Sequence, residues 1–272
     1  MVFQNYKHKM IFNSYGDKNL VILCAGDNPV PDFFKDHDKR KYDLLVIYYG
    51  DNPENFKNKF KNFNYFHHIK GYKFHIIKKY YYENIKFFKK YRYVFMPDDD
   101  IILSPKDINN FFRILNEFKL VLAQPSLIGY YSHLITLHKF ENVLRYTNFV
   151  EIMMPCFLSD VLAKCISSFD SSLIGHGLDY LWPKMLSYPD KKIAIIDEVV
   201  AVHSRKVGSG SLYSNNNHIN EAFEKFMIKN QLSSGVQNVL GHIPKENYNK
   251  QSFDDKYYPF SESFKLMIEK YI

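Results

Sequence analysis

The sequence predicts an α/β fold, with a mixed, mostly parallel sheet flanked by helices. Short, continuous apolar runs of strand length alternate with amphipathic patterns at helical spacing, and a cluster of carboxylates directly follows one of the runs. This order is typical of parallel strands joined by crossover helices. With 272 residues, the chain is long enough to bury a substantial core.

The first two strands are predicted from apolar runs at residues 19–25 and 42–49, each closed by the turn-forming sequence Gly-Asp-Asn-Pro. Parallel strands of this kind end at the same edge of a sheet. We therefore expect Asp27 and Asp51 at that edge. Each aspartate is also explained by a turn cap, and this explanation is preferred for Asp51.

Residues 56–91 interleave basic and aromatic side chains, a composition that superficially resembles a nucleic-acid surface. The apolar positions near the end of this stretch recur at helical intervals: Ile77, Tyr81, Ile85 and Phe88. An amphipathic crossover helix with a solvated basic side is therefore the favoured interpretation. The preceding stretch, Lys70 to Lys73, reads as a short basic loop able to approach a phosphate.

Three adjacent carboxylates, Asp98, Asp99 and Asp100, follow an apolar strand that begins at Tyr93. Such groups repel one another unless they share a cation. In an extended segment Asp98 and Asp100 lie on one side, so that they supply two oxygen ligands to one hard cation. A solvated acidic turn that caps the next helix is the alternative.

Three further positions are candidates for chemistry. Glu151 lies within an otherwise apolar segment and needs a partner or a function. Asp179 follows two glycines at a predicted helix start, where the helix dipole alone also explains a carboxylate. His203 ends a predicted strand and precedes Arg205, Lys206 and a loop rich in Gly and Ser, a composition suited to diphosphate oxygens. If His203 reaches the aspartates, the donor set suits Mn²⁺ or Mg²⁺ better than zinc.

The remaining elements complete a single domain, 1–210, with a C-terminal helical extension, 211–272. In chain order we expect a helix capped by Ser104, a strand at 120–123 closed by Gln124-Pro125-Ser126, a helix at 156–168, a strand at 193–202, and helices at 218–230 and 261–272. The cysteines have no metal-binding spacing and are expected to be reduced packing residues: Cys24, Cys156 and Cys165.

The net charge of +7 favours an anionic partner: a nucleoside diphosphate, an acidic membrane surface or nucleic acid. No apolar segment is long enough to span a bilayer, and residues 1–16 lack the apolar core of a signal peptide. We therefore expect a cytoplasmic protein.

The ordered motifs resemble nucleotide-sugar glycosyltransferases of the GT-A fold. They are similar in particular to the family of bacterial and plant proteins defined by the domain of unknown function 707, over residues 20–210. The resemblance is carried by Met96-Pro97-Asp98-Asp99-Asp100-Ile101, Gln124-Pro125, Val150-Glu151-Ile152-Met153-Met154-Pro155, Gly177-Leu178-Asp179 and Val202-His203. The glycine-rich loop at 208–210 matches no signature of that family.

The resemblance implies a role for each matching position. Asp98 and Asp100 would hold the metal and the donor ribose or diphosphate, together with Asp99, and His203 would be a further metal ligand. Asp27 falls where such enzymes contact the base or ribose. Asp179 matches the general base of inverting members, and Glu151 would orient the acceptor or share that role. Diphosphate contacts by Arg205 and Lys206 are inferred from their chemistry alone.

The function that we expect is metal-dependent transfer of a sugar from a nucleotide-diphosphate donor to a hydroxyl acceptor, such as a bacterial surface glycan. Peripheral association with the inner face of the membrane is compatible with this function, and nucleic acid is not an expected partner. A metal-dependent nucleotidyl- or phosphotransferase and a non-catalytic anion-binding protein remain as alternatives, since acids and cations serve both.

Overall fold

The computed structural model describes residues 16–208 and 216–248. In these residues the chain forms ten strands: β1 Lys18–Ala25, β2 Asp43–Tyr48, β3 Tyr65–His68, β4 Tyr91–Phe95, β5 Ile101–Ile102, β6 Leu122–Gly129, β7 Asn142–Thr147, β8 Cys156–Leu158, β9 Ile193–His203 and β10 Val239–Pro244. It also forms seven α-helices: α1 Pro53–Lys59, α2 Lys73–Glu83, α3 Ile85–Phe88, α4 Pro105–Glu117, α5 Ser159–Cys165, α6 Leu178–Met185 and α7 Asn216–Lys229.

All ten strands belong to one mixed sheet, in the order β10-β7-β9-β6-β8-β4-β1-β2-β3, with β5 paired to β9. The strands β3, β2, β1 and β4 are parallel neighbours, and β6 is parallel to β9. Between these two groups β8 runs antiparallel to both β4 and β6. The carboxyl ends of β1, β4, β6 and β9 therefore reach the same edge of the sheet.

Helices cover both faces of the sheet because successive side chains of its buried strands point to opposite sides. Val21 and Leu23 of β1 pack in one core with α4, whereas Leu20 and Ile22 pack in a second core with α2, α5 and α6. This two-sided burial explains why the strands are continuous apolar runs. The expected mixed α/β sheet flanked by helices is confirmed.

Two helix starts agree with their sequence signals. The side chain of Ser104 accepts a hydrogen bond from the backbone N–H of Asp107 at 3.1 Å, and Pro105 is the first residue of α4. At the start of α6, Gly177 has a φ of 92°, and a Cβ there would lie 2.5 Å from the ring of Phe226. Glycine is needed at this position for both reasons.

The structure corrects several expectations. Gln124-Pro125-Ser126 does not end a strand, because β6 continues to Gly129 with a register shift after Pro125 that accommodates the missing N–H. The basic and aromatic stretch contains α1 and β3 before the crossover helix, which is α2 followed by α3. The helix expected at 156–168 is wrong at its start, because residues 156–158 form β8 and α5 begins at Ser159. Strands β7 and β10 were not predicted.

The expected helix near 218–230 is confirmed as α7, and the cysteines are free and buried, as expected. Part of the predicted helical extension is instead a strand, since β10 pairs with β7 in the main sheet. The predicted helix at 261–272 lies outside the described residues, and the boundary after residue 210 stays a prediction.

A buried ion pair fixes the loop between β6 and β7. Arg145 donates to both carboxylate oxygens of Asp197, at 2.7 and 2.9 Å, and its remaining donors bind the carbonyl oxygens of Ile135 and Leu137 at 2.8 Å. The side chains of Arg145 and Asp197 are 5% and 0% exposed. Because one guanidinium satisfies a fully buried carboxylate and two loop carbonyls, the loop is held firmly against the sheet.

We expect Arg145→Met to lower the free energy of unfolding by about 3–5 kcal/mol, because it leaves the buried Asp197 carboxylate without a counter-charge. Urea denaturation of the full chain measures this loss. The matched control is Lys57→Met, which removes the exposed Lys57–Glu54 pair and is expected to cost less than about 1 kcal/mol. If both variants lost the same free energy of unfolding, the buried Arg145 contacts would stabilise the fold no more than an exposed ion pair does.

Candidate active site

A cavity of about 560 Å³ opens at the edge where the parallel strands end. Its walls come from the turn after β4, the loop before β8, the start of α6, and the residues that follow β6 and β9. Seven residues that the sequence analysis singles out line it: Asp98, Asp100, Glu151, Asp179, His203, Arg205 and Lys206. The chain thus brings together side chains that lie up to about a hundred positions apart, at the strand ends where ligands bind in open α/β sheets.

The acidic triplet, residues 98–100, is not an extended segment. The sequence prediction assumed an extended segment in order to place Asp98 and Asp100 on the same side. Strand β4 ends at Phe95, and Asp99 and Asp100 lie in a turn. Backbone hydrogen bonds from Asp98 to the carbonyl oxygen of Met153, at 2.8 Å, and from Val30 to that of Asp99, at 2.7 Å, hold the turn. Asp98 and Asp100 nevertheless both face the cavity, and Asp99 is directed elsewhere.

Asp99 and Asp27 do not line the cavity. The Asp99 carboxylate accepts a hydrogen bond from the backbone N–H of Gly26 at 2.8 Å and lies 3.4 Å from the guanidinium of Arg205. Burial raises the pKa of Asp99 to about 6. Asp27 is exposed and accepts a hydrogen bond from the Tyr48 hydroxyl. Asp99 therefore connects the end of β1 to the acidic turn.

Lys73, the first residue of α2, supplies a positive charge inside the site. Its ammonium group lies 2.6 Å from Asp98 Oδ1 and 3.0 Å from the carbonyl oxygens of Ile152 and Met153. The side chain is only 16% exposed. Three acceptors use the three donors of the ammonium group, so Lys73 holds the acidic turn and the segment after Glu151 together.

His203 lies beside Asp100, with its Nε2 3.3 Å from the carboxylate Oδ2. The other ring nitrogen, Nδ1, is 2.8 Å from the carbonyl oxygen of Tyr130. A carbonyl only accepts hydrogen bonds, so Nδ1 carries a proton. Burial alone would lower the pKa of His203, but the hydrogen bond to Asp100 and the charge of that carboxylate raise it, so Nε2 tends to hold a proton as well. A metal bound at Asp100 would displace that proton, and an Nδ1–H held by a carbonyl is typical of histidines that bind metal ions through Nε2.

The residues around Asp100 fit a hard divalent cation. Asp100 Oδ1 is buried and has no hydrogen-bond partner among the described residues, which leaves an anionic oxygen without compensation. Carboxylate oxygen and imidazole nitrogen together suit Mn²⁺ or Mg²⁺. In the described part of the chain no three His, Cys, Asp or Glu side chains are arranged to hold a metal, and Asp98 is engaged by Lys73. Asp100 and His203 are therefore the two available ligands, with other positions open for phosphate oxygens or water.

Two buried acids, Glu151 and Asp179, form another part of the wall. They are 3% and 4% exposed. Burial raises the pKa of Asp179 to about 7, although backbone N–H groups at the start of α6, including that of Tyr180, oppose this rise. Burial, followed by repulsion from Asp179, raises the pKa of Glu151 to about 8. Near neutral pH, Glu151 is therefore the group that holds a proton, and Asp179 is the one that ionises.

The cavity is also lined by four residues that were not predicted as site residues: Ser132, His133, His176 and Tyr180. A signal for two of them was available. Ser132 and His133 follow the end of β6, a strand parallel to those that carry the acids, and such strand ends meet at one edge. For His176 and Tyr180, the only local signal is their position next to Gly177 and Asp179.

Comparison with known proteins indicates the fold. No family model matches the chain, and no curated protein matches it. The TarS 1–349 structure from S. aureus, in complex with UDP-GlcNAc, is similar at 10% identity over 78% of this chain and 66% of that chain, with a TM-score of 0.52. Against the longer TarS structure, this chain spans only 43% of the protein.

The glucosyl-3-phosphoglycerate synthase of Mycobacterium tuberculosis, in complex with Mn²⁺, UDP-glucose and phosphoglyceric acid, is similar at 11% identity. The match covers 84% of this chain and 89% of that chain, with a TM-score of 0.51. A 4-diphosphocytidyl-2C-methyl-D-erythritol synthase from Anaerococcus prevotii has 11% identity over 77% and 96% of the two chains, and its TM-score of 0.43 carries no argument.

The fold is that of GT-A nucleotide-sugar transferases. At these identities the likeness extends to the fold alone, and the resemblance to the family of domain 707 stays a prediction. No helix in residues 16–208 and 216–248 has the length and apolar character required to cross a membrane.

We expect Mn²⁺ to stabilise the protein through Asp100 and His203. At a concentration of about 100 times its dissociation constant, a ligand that binds only the folded state adds about 2.7 kcal/mol of stability. Thermal unfolding with and without MnCl₂ measures this effect, and Asp100→Asn should abolish it. Asp51→Asn, which alters an exposed carboxylate paired with Lys70, is the matched control and should retain it. Full stabilisation of the Asp100→Asn protein would refute the assignment.

Proposed function

We propose that the protein transfers a sugar from a nucleotide-diphosphate donor to a hydroxyl group of an acceptor. The observation that carries this proposal is the composition of one cavity. It contains a carboxyl group beside an imidazole, two exposed cationic side chains, and two buried acids with pKa values of about 7 and about 8. Departure of a diphosphate and removal of a hydroxyl proton need these two sets of groups.

The donor is assigned to the part of the cavity around Asp100. Asp100 and His203 would hold Mn²⁺ or Mg²⁺, and the exposed side chains of Arg205 and Lys206 would meet the phosphate oxygens. When bound, the metal neutralises charge on the departing diphosphate. Asp98, whose carboxyl group is already engaged by Lys73, is assigned to the donor ribose. Contacts of Asp27 and Asp99 with the nucleoside belong to the same proposal.

The acceptor is assigned to the part of the cavity around Asp179. As the acceptor oxygen forms its bond to the anomeric carbon, the bond from that carbon to the phosphate oxygen breaks, and the electron pair leaves with the nucleoside diphosphate. The proton of the acceptor hydroxyl passes to the Asp179 carboxylate. Glu151, protonated near neutral pH, orients the acceptor by donating a hydrogen bond to it.

Two of the structures compared above, both with TM-scores above 0.5, contain UDP-sugars, and one of them also contains Mn²⁺. These ligands support the choice of UDP-glucose and UDP-N-acetylglucosamine as first probes. A sugar transferase releases nucleoside diphosphate from such a donor. A nucleotidyltransferase would instead release pyrophosphate from a nucleoside triphosphate, and detection of that product alone would overturn the proposal.

We expect Asp179→Asn to lower the rate of nucleoside diphosphate release by about 10²- to 10⁴-fold, because the amide cannot accept the hydroxyl proton. Donor binding, measured by calorimetry with Mn²⁺, should be retained, since the donor is bound by other residues. Asp51→Asn serves as a control, because it alters an exposed aspartate that pairs with Lys70 outside the cavity. A rate close to that of the unaltered protein would remove Asp179 as the base.

The rate of transfer should rise with pH through about 7. Burial places the pKa of Asp179 at about 7, and the base works only when it has lost its proton. The rate is therefore expected to fall about tenfold per pH unit below 6 and to level off above 7.5. Glu151 is itself protonated in this pH range, so Glu151→Gln, which replaces one neutral group with another, should leave the midpoint close to pH 7. An unchanged rate from pH 5.5 to 8 would contradict a carboxylate base with this pKa.

A further inference from the structure

The wall next to Asp179 includes a histidine that the proposed mechanism does not use. His133 lines the cavity, and its Nε2 lies 3.8 Å from Asp179 Oδ2. The ring packs edge-on against Phe149, with centroids 4.7 Å apart, and its side chain is 26% exposed. His133 is therefore fixed in place while it remains open to a ligand.

Gln237 determines which ring nitrogen carries the proton. Its amide nitrogen donates a hydrogen bond to His133 Nδ1 at 2.7 Å and to the hydroxyl oxygen of Tyr180 at 2.8 Å. Burial, and then the neighbouring His176, lowers the pKa of His133 to about 4, so the ring is neutral near pH 7. A neutral ring that accepts at Nδ1 carries its proton on Nε2. The N–H group of His133 therefore faces the Asp179 carboxylate.

The segment that carries Gln237 is itself tied to the sheet. The backbone N–H of Asn238 donates to the side-chain oxygen of Asn148 at 2.7 Å, and the Asn148 amide donates back to the carbonyl oxygen of Val236 at 3.1 Å. These bonds place Gln237 immediately before β10, behind the wall of the cavity. A part of the chain beyond residue 211 thereby orients a residue of the site.

The distance between His133 Nε2 and Asp179 Oδ2 suits a hydroxyl group bound by both side chains. At 3.8 Å the two atoms are too far apart for a good hydrogen bond to each other. One hydroxyl oxygen in front of them can accept from Nε2–H and donate to Oδ2 at normal distances. Glu151 and His176 face the same space and add further polar groups. A donor and an acceptor at this spacing match a hydroxyl group, which is both acceptor and donor.

We propose that His133 and Asp179 form a hydroxyl-recognition subsite, and that Gln237 is a positioning residue that keeps the His133 proton on Nε2. The ligand class is a sugar or other polyol. This inference rests on the proposed function for the identity of that hydroxyl as the acceptor. The hydroxyl proton goes to Asp179, and His133 only donates a hydrogen bond to the oxygen.

The first test does not need catalysis. The full-length protein, labelled with ¹⁵N-histidine, is observed by NMR at pH 7, and the His133 signals are assigned with His133→Gln. We expect His133 to carry its proton on Nε2 and its signal to shift as methyl β-glucoside, methyl N-acetyl-β-glucosaminide or glycerol is added. Asp179→Asn should weaken this binding about tenfold, the loss of one good hydrogen bond to a charged group. Asp51→Asn should leave it unchanged.

A proton on Nδ1, or a His133 signal that none of these polyols moves, would overturn the subsite. Gln237→Leu is expected to give mixed protonation of the two ring nitrogens, whereas an unchanged signal would remove Gln237 as the positioning residue. If the polyols bind as expected but no nucleotide sugar is turned over, the subsite stands and the proposed function fails. The two failures are therefore distinguishable.

The second test uses the polyol that stimulates release of UDP from UDP-glucose or UDP-N-acetylglucosamine. In His133→Leu its KM should rise about tenfold, while the donor KM changes less than about twofold. His133→Gln, whose amide N–H can take the place of Nε2–H, should restore most of the affinity. A parallel rise in both KM values, or no rescue by glutamine, would indicate a structural role only.

Discussion

The burial of several carboxyl groups in one cavity is the constraint on which the site depends. Parallel strands deliver acids to the same edge of the sheet, and acids removed from water repel one another. Three features reduce this repulsion: Lys73 compensates Asp98, Arg205 and a backbone N–H compensate Asp99, and Glu151 keeps its proton near neutral pH. Asp100 and Glu151 each have a buried oxygen without a hydrogen-bond partner among the residues that the structure describes, and of these two Asp100 is the one beside His203. Charge thus accumulates where a cation and a phosphate would be accommodated.

A buried carboxylate is also compensated deeper in the sheet, at Asp197, where the compensation stabilises the fold. Asp197 lies where the pairing of β6 with β9 is irregular, because β9 has extra residues opposite the step from Pro125 to Ser126. Arg145 compensates this buried carboxylate and also binds the loop carbonyls. That loop carries His133 to the cavity wall. One buried ion pair is therefore coupled, through the loop, to the position of a side chain in the site.

Much of the fold could be predicted because its central strands are buried on both faces and read as apolar runs that stop at Gly and Asp. The acids could be found for the same reason, since Asp98 to Asp100 directly follow such a run. Elements at the edges were missed: β3, with half of its residues exposed, and β10, with three of its six, have no apolar run to identify them. Lys73 was indicated only as part of a basic loop expected to approach a phosphate, whereas it begins α2 and pairs with Asp98. His133 and Gln237 come close to the site only through tertiary contacts, and local patterns contain little information about such contacts. The Gln124-Pro125 error arose because proline is tolerated where a strand pairing is irregular.

The ion pair between Lys73 and the acidic turn has a consequence for folding in the cell. Its ammonium group is covalently part of the chain, so the acidic turn has a resident counter-ion from the moment the sheet assembles. Proteins whose clustered acids rely on an external ion must capture that ion in order to fold, and their abundance then follows the supply of the ion. With this internal counter-ion, the acidic turn is expected to fold without an external cation. The metal proposed above would then be free to enter and leave with the phosphates that it neutralises.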